Sequence, residues 1–71
     1  MTELEVRGDH ITLGQLLKLI GAAQGGGDVK AYLAESEVMV NGEPEDRRGR
    51  KLRPGDLITS SDGIEVQLTG S

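Results

Sequence analysis

The sequence has 71 residues, enough for one small domain, and its net charge is −4. It contains no Cys and one His, so disulfide bonds are excluded and a zinc site lacks ligands. No apolar run approaches the ~20 residues that span a bilayer, and residues 1–6 carry no signal-peptide pattern, so we expect a cytoplasmic protein with a single domain over residues 1–71.

Residues 2–7 alternate between apolar and polar side chains, which predicts a half-buried strand. Thr12 then begins a helix, because Thr12 and Gln15 have the spacing of a capping box. The apolar face of this helix is predicted to consist of Leu13, Leu16, Leu17 and Ile20. Gly21 is suited to the left-handed position that ends a helix.

Three consecutive glycines, residues 25–27, predict a break before a second helix. Asp28 suits the first turn of that helix, since an acidic side chain interacts favourably with the positive helix N-terminus. Its buried stripe is predicted to consist of Val29, Tyr32 and Leu33. We expect it to end near Ser36, so that the two helices form a helical hairpin.

The chain after the helices predicts short strands joined by tight turns. Residues 38–40 form the first strand, and Asn41-Gly42 is a strong hairpin signal because both residues tolerate a positive φ. Residues 43–45 return as an edge strand, since Pro44 has no N–H to donate to a neighbouring strand.

Further along, Pro54-Gly55 predicts a type II turn. Residues 57–59 then form a strand, residues 61–63 a turn and residues 64–69 the last strand. This order of elements predicts an α+β fold, in which a two-helix hairpin packs on one face of a small, mainly antiparallel sheet.

Five of the eight basic residues lie in residues 47–53, which we call the basic segment: Arg47, Arg48, Arg50, Lys51 and Arg53. The segment contains no acidic residue and carries +5, which leaves −9 for the other residues of a chain whose net charge is −4. Because salt screens charges over about 8–10 Å, a local patch can attract phosphate although the whole protein is acidic. We expect the segment to be irregular in structure.

With these elements placed, residues 12–58 resemble the S-four, or S4, RNA-binding domain, also called the alpha-L motif. The resemblance is carried by residues 12–18 in the first helix, residues 26–30 at the start of the second, the turn at residues 38–43, Arg47-Arg48 with Lys51-Leu52, and the turn at residues 54–58. The pattern is most similar to small stand-alone bacterial proteins of the YbcJ-like branch. In that branch a Gly-Gly helix start, a Lys on the second helix, an Asn-Gly-Glu turn and an Arg-Arg pair recur in this order.

The resemblance implies two helices on a small sheet, with the helices and the following turn forming a surface for structured RNA, such as ribosomal or transfer RNA. Carried over by position, it implies RNA contacts for Lys30, Asn41, Arg47, Arg48 and Lys51. Many members carry basic residues at the start of the second helix, where this chain has residues 25–28 without a positive charge. We therefore expect RNA binding to depend on the basic segment more than on the start of the second helix.

The chemistry of the basic segment agrees with this assignment. Guanidinium groups bind phosphate oxygens in bidentate fashion and Lys adds a point charge, so we include Arg50 and Arg53 among the candidate RNA-binding residues. The alternative is a solvated loop that offsets the charges of Glu43, Glu45 and Asp46.

Two other candidates also have structural interpretations. Lys30 could pair with Asp28 or Glu35 instead of contacting RNA. Asn41 could serve the turn alone, although its amide could also reach a base or a 2′-hydroxyl. Tyr32 is the one aromatic residue, so the protein has few side chains on which single-stranded bases could stack. We therefore expect it to recognise the shape and phosphates of folded RNA.

Nothing in the sequence places His10 beside a nucleophile, and we expect a monomeric protein that is not an enzyme and uses no metal or cofactor. Two alternatives from other classes stay open. A β-grasp sulfur carrier has similar Asn-Gly-Glu and Gly-Asp turns, but its chemistry needs a terminal Gly-Gly where this sequence reads Thr-Gly-Ser. A protein-interaction module would use the edge at residues 43–45 or the acidic N-terminal strand.

Overall fold

The structure, a computed structural model, describes residues 2–23 and 26–70. Its elements are β1 (Thr2–Val6), β2 (Ile11–Thr12), α1 (Leu13–Leu19), α2 (Gly26–Glu35), β3 (Val38–Val40), β4 (Glu43–Pro44), β5 (Lys51–Leu52), β6 (Leu57–Ser60) and β7 (Glu65–Gly70). The α+β class expected from the sequence is confirmed.

Five strands form one sheet in the order β1-β7-β6-β3-β4, and β2 and β5 form a separate pair. All neighbouring strands are antiparallel except β1 and β7, which run parallel with Thr2 opposite Val66 and Val6 opposite Gly70. The expectation of a mainly antiparallel sheet is therefore confirmed. The parallel pair needs a long connection, and the helices and the remaining strands provide it.

The helices and one face of the five-stranded sheet form the core. The sheet contributes the buried side chains of Val6, Val38, Val40, Ile58, Val66 and Leu68. The helices cover them with Leu13, Leu16, Leu17, Val29 and Leu33. Tyr32 is partly buried against the same cluster. Neither helix in the described chain combines the length and the apolarity that crossing a bilayer demands.

Helix α1 begins and ends at the predicted residues. The backbone N–H of Thr12 donates to Oε1 of Gln15 (2.9 Å), and the backbone N–H of Gln15 donates to Oγ1 of Thr12 (3.2 Å). At the other end, Gly21 has a φ of +80°, and the N–H of Ala22 donates to the carbonyl of Leu17 (2.9 Å). Both the capping box and the left-handed helix end are confirmed.

The turns also follow the predicted chemistry. Asn41 and Gly42 have φ values of +54° and +83°, so the hairpin between β3 and β4 uses two left-handed residues in succession. Gly55 has a φ of +98°, and the N–H of Asp56 donates to the carbonyl of Arg53 (3.1 Å), as a type II turn requires.

The predicted glycine break before α2 is wrong for Gly26 and Gly27, because both belong to the first turn of that helix. Glycine destabilises a helix because it loses more backbone freedom than other residues, and this penalty applies chiefly in the helix interior, so glycine is tolerated in a first turn. Gly25 lies outside the described residues.

The expectation that the basic segment is irregular is wrong at Lys51 and Leu52, which form β5 and pair with β2. A strand of two residues is too short to show an alternating pattern in the sequence. The segment also docks onto the start of α1 through its backbone. The N–H of Leu13 donates to the carbonyl of Arg50 (2.9 Å), and the N–H of Gly14 donates to the carbonyl of Arg48 (2.8 Å).

Gly14 sits where α1 and the basic segment approach most closely. A Cβ atom at Gly14 would lie 3.3 Å from the carbonyl oxygen of Arg48, 3.4 Å from its Cβ and 3.6 Å from Cγ1 of Val29. We expect Gly14→Val to lower the free energy of unfolding by about 1–3 kcal/mol, because the branched side chain must push the segment away.

Urea denaturation followed by circular dichroism measures this change. Gly49→Val is the matched control, since a Cβ at Gly49 meets no atom within 4 Å and its φ lies outside the left-handed region. Equal stability of the two variants would contradict the close approach at Gly14.

Candidate nucleic-acid interface

At the end of the basic segment, exposed and buried side chains alternate along the chain. Leu52 is 0% exposed and belongs to the core, while its neighbours Lys51 and Arg53 are exposed. Because successive side chains of an extended chain point in opposite directions, Lys51 and Arg53 both point away from the core. Neither side chain forms a hydrogen bond or ion pair with another residue in the described part of the chain. These two cations are therefore presented to solvent on a fixed backbone.

Glu45 engages two of the arginines in the basic segment. The Nε–H of Arg47 donates to Oε1 of Glu45 (2.9 Å), and NH1 of Arg50 lies 3.5 Å from Oε2. The Glu45 side chain is only 8% exposed, whereas that of Arg47 is 73% exposed. The hydrogen bond from Arg47 is the main cause that lowers the pKa of Glu45, and the charge of Arg50 adds to it. Of the three acidic neighbours named in the alternative interpretation, Glu45 therefore pairs with Arg47 and Arg50.

The contact with Glu45 also orients Arg47. Because Nε of Arg47 donates to Glu45, the two terminal nitrogens of the guanidinium are the ones that remain for a further partner. Those nitrogens form the edge of a fork that matches two oxygens of a phosphate. Arg47 can therefore keep its carboxylate partner and still present a binding edge to solvent.

Lys30 lies on α2, and the fold brings it next to the basic segment. Lys30 and Arg48 line one groove of about 480 Å³, together with Leu33, Ala34 and Asp46. Lys30 forms no ion pair with Asp28 or Glu35, so its alternative structural pairing is absent. The structure thus places this sequence-predicted residue beside one arginine of the segment.

Asn41 has a structural role. Its Nδ2 donates to Oδ1 of Asp56 (3.0 Å), and its Oδ1 accepts from the N–H of Leu57 (2.9 Å). The backbone N–H of Asn41 donates to the carbonyl of Leu57 (2.8 Å). The side-chain amide therefore ties the hairpin turn to the start of β6, and part of its hydrogen-bonding capacity is already used.

Tyr32 is held between α2 and the turn before β7. Its hydroxyl lies 3.2 Å from Oγ of Ser60 and 2.9 Å from both carboxylate oxygens of Asp62. Desolvation is the main cause that raises the pKa of Tyr32, and the neighbouring Asp62 carboxylate raises it further. Tyr32 is thus partly buried, and its hydroxyl is held by contacts within the protein.

Over residues 2–23 and 26–70, no group of three or more His, Cys, Asp or Glu side chains could hold a metal ion. His10 lines a different groove, between β1 and α1, with Arg7 and Lys18 on the same rim.

The ion pair between Glu45 and Arg47 makes the stability of the folded protein depend on pH. The pKa of Glu45 in the folded protein lies below its ordinary value of 4.5, so its contribution is complete above pH 4.5 and is lost as the pH falls through the folded value. We expect Glu45→Gln to be less stable than wild type at neutral pH and to lose less stability between about pH 5 and pH 3.

Thermal unfolding across this pH range provides the measurement. Glu43→Gln is the control, because it removes an exposed carboxylate two residues away on β4. If the two variants show the same pH dependence, the Glu45 pair does not contribute to stability.

The chain is similar in sequence to known proteins. Residues 4–69, nearly the whole chain, match the family model described as S4 domain. A protein of Bacillus subtilis (strain 168), named "Probable ribosome maturation protein RlbA", is 56% identical over 50 residues, which cover 70% of this chain and 70% of the relative. The match decides between the S4 domain and the β-grasp alternative, and it confirms the resemblance that the sequence predicted. The chain belongs to the S4 domain family.

Proposed function

We propose that this protein is a non-enzymatic RNA-binding protein of the ribosome-maturation type, which recognises structured ribosomal RNA through the basic segment. The observation that carries the proposal is the position of Lys51 and Arg53. Both side chains are exposed and form no hydrogen bond or ion pair among the described residues, and both flank the buried Leu52 on a segment whose backbone is hydrogen-bonded to α1. Cations held in this way lose little conformational freedom of the backbone when they bind phosphate.

The candidate residues contribute to RNA binding to different extents in this proposal. Lys51 and Arg53 provide the primary phosphate contacts, and Lys30 and Arg48 extend the surface along the groove beside α2. Arg47 and Arg50 contribute less net charge, because Glu45 offsets them. Asn41 acts indirectly, by fixing the turn that precedes the segment.

The kind of RNA follows from what the surface offers. The basic segment carries positive charge on a fixed backbone. The one Tyr of the protein, Tyr32, is hydrogen-bonded to Ser60 and Asp62, and there is no Phe or Trp. Base stacking on aromatic side chains is the main device of proteins that read single strands. We therefore propose that the protein reads the shape and phosphate pattern of a folded RNA.

The partner and the cellular location are proposed from the relative. The Bacillus protein, whose name describes ribosome maturation, is 56% identical to this chain over 50 aligned residues. A protein of the same role would meet ribosomal RNA in the cytoplasm, and we propose that it does so as a monomer. Catalysis has no place in this proposal, since the surface offers phosphate ligands and no nucleophile paired with a base.

The double variant Lys51→Glu/Arg53→Glu tests the proposal. We expect it to weaken binding to a structured ribosomal RNA fragment by at least about tenfold and to reduce the slope of log K against log salt by about 2, one for each lost phosphate contact. Fluorescence anisotropy at several salt concentrations measures both quantities.

Arg7→Glu/Lys18→Glu is the matched control, because it makes the same change in charge on a different groove, between β1 and α1. Circular dichroism verifies that both variants stay folded. If the two variants weaken binding equally, the protein responds only to net charge, and the assignment of the site to the basic segment fails.

A further inference from the structure

The groove beside α2 continues into a second cleft. The first cleft, of about 480 Å³, contains Lys30 and Arg48, and the second, of about 250 Å³, contains Glu37 and Glu45. Leu33 and Asp46 line both clefts. The two clefts therefore form one groove along α2, with Asp46 where they meet.

Positive and negative side chains lie in different parts of this groove. One end carries the cations Lys30 and Arg48, and the carboxylates begin at Asp46. A phosphate group alone fits this groove poorly, because Asp46 repels it. A nucleotide fits better, since its phosphate is anionic whereas the edge of its base carries N–H donors.

We propose that the groove binds one unpaired guanine nucleotide of the RNA. The phosphate lies towards Lys30 and Arg48, the base lies against the apolar side chains of Leu33 and Ala34, and the carboxylate of Asp46 accepts hydrogen bonds from the base. This proposal rests on the proposed function and names a nucleotide that the same surface selects. The volume of the first cleft falls within the range of about 300–1,000 Å³ that small-ligand sites occupy.

The choice of guanine follows from the chemistry of a carboxylate. An ionised carboxylate only accepts hydrogen bonds, and its two oxygens match two adjacent donors. The Watson–Crick edge of guanine presents N1–H and the N2 amino group side by side. Adenine and cytosine present one amino donor beside an acceptor nitrogen, and uracil presents one N–H between two carbonyl oxygens, so each of them leaves one carboxylate oxygen opposite an acceptor.

Asp46 is the carboxylate suited to this role, and its neighbour Glu45 is not. Both oxygens of Glu45 face arginines, and its side chain is only 8% exposed. Asp46 is exposed and lines the cation-bearing cleft itself. Asp46 is thus a specificity-determining residue, whereas Lys51 and Arg53 determine affinity.

The test uses hairpin RNAs that are identical except for one unpaired loop nucleotide, which is guanosine, adenosine, cytidine, uridine or inosine. Fluorescence anisotropy with the wild-type protein is expected to show binding about tenfold tighter to the guanosine hairpin than to the adenosine, cytidine or uridine hairpins. Inosine, which keeps N1–H but lacks the N2 amino group, is expected to bind with intermediate affinity. Asp46→Asn replaces one acceptor by a donor and is expected to remove the preference.

Glu43→Gln is the matched control for the lost charge and is expected to keep the preference, because Glu43 does not line the groove. A guanosine preference that persists in Asp46→Asn overturns the proposal, as does equal binding of all five RNAs by the wild type. If that equal binding is still lost in Lys51→Glu/Arg53→Glu, the proposed RNA-binding function stands and only the guanine site fails. If the wild type binds none of the RNAs, the proposed function fails and the guanine site fails with it.

Discussion

The start of α1 is the constraint on which the rest of the structure depends. A helix begins with N–H groups that have no intrahelical partner, and burial makes each unsatisfied group costly. Here the N–H of Leu13 and Gly14 donate to the carbonyls of Arg50 and Arg48, and that of Gln15 donates to Thr12. The same contacts that complete the helix therefore fix the basic segment, and the short pair of β2 with β5 continues this attachment.

This arrangement concentrates positive charge in one segment of an acidic protein. Outside the basic segment the chain carries −9, and part of this charge lies on the sheet face that is turned away from the helices, where Glu3, Glu5 and Glu65 are exposed. Salt screens these carboxylates over about 8–10 Å, so they do not cancel a cation on the other side of a small domain.

Local signals in the sequence predicted much of the fold. The capping box of Thr12 and Gln15, the left-handed Asn41-Gly42 turn and the Pro54-Gly55 turn each depend on residues close together in the chain, and all three are present. The parallel pairing of β1 with β7 and the pairing of β5 with β2 were not predicted, because they join distant segments and leave no periodic signal. In the candidate site, the run of cations was visible in the sequence. The pairing of Glu45 with Arg47 and Arg50, and the groove shared by Lys30 and Arg48, depend on three-dimensional contacts that leave no pattern in the sequence.

The contacts that attach the basic segment to α1 are made by the backbone, and this separates the stability of the fold from the chemistry of the site. The carbonyls of Arg48 and Arg50 accept the hydrogen bonds, and the buried Leu52 provides the apolar anchor. Neither interaction depends on which side chains stand at Lys51 and Arg53. Lys51 and Arg53 can therefore be replaced at little cost to folding. Gly14 and Leu52 cannot, because a side chain at Gly14 would push the basic segment away from α1, and a smaller residue at Leu52 would leave a cavity in the core. The backbone of the basic segment is thus held in place independently of the exposed side chains that it carries.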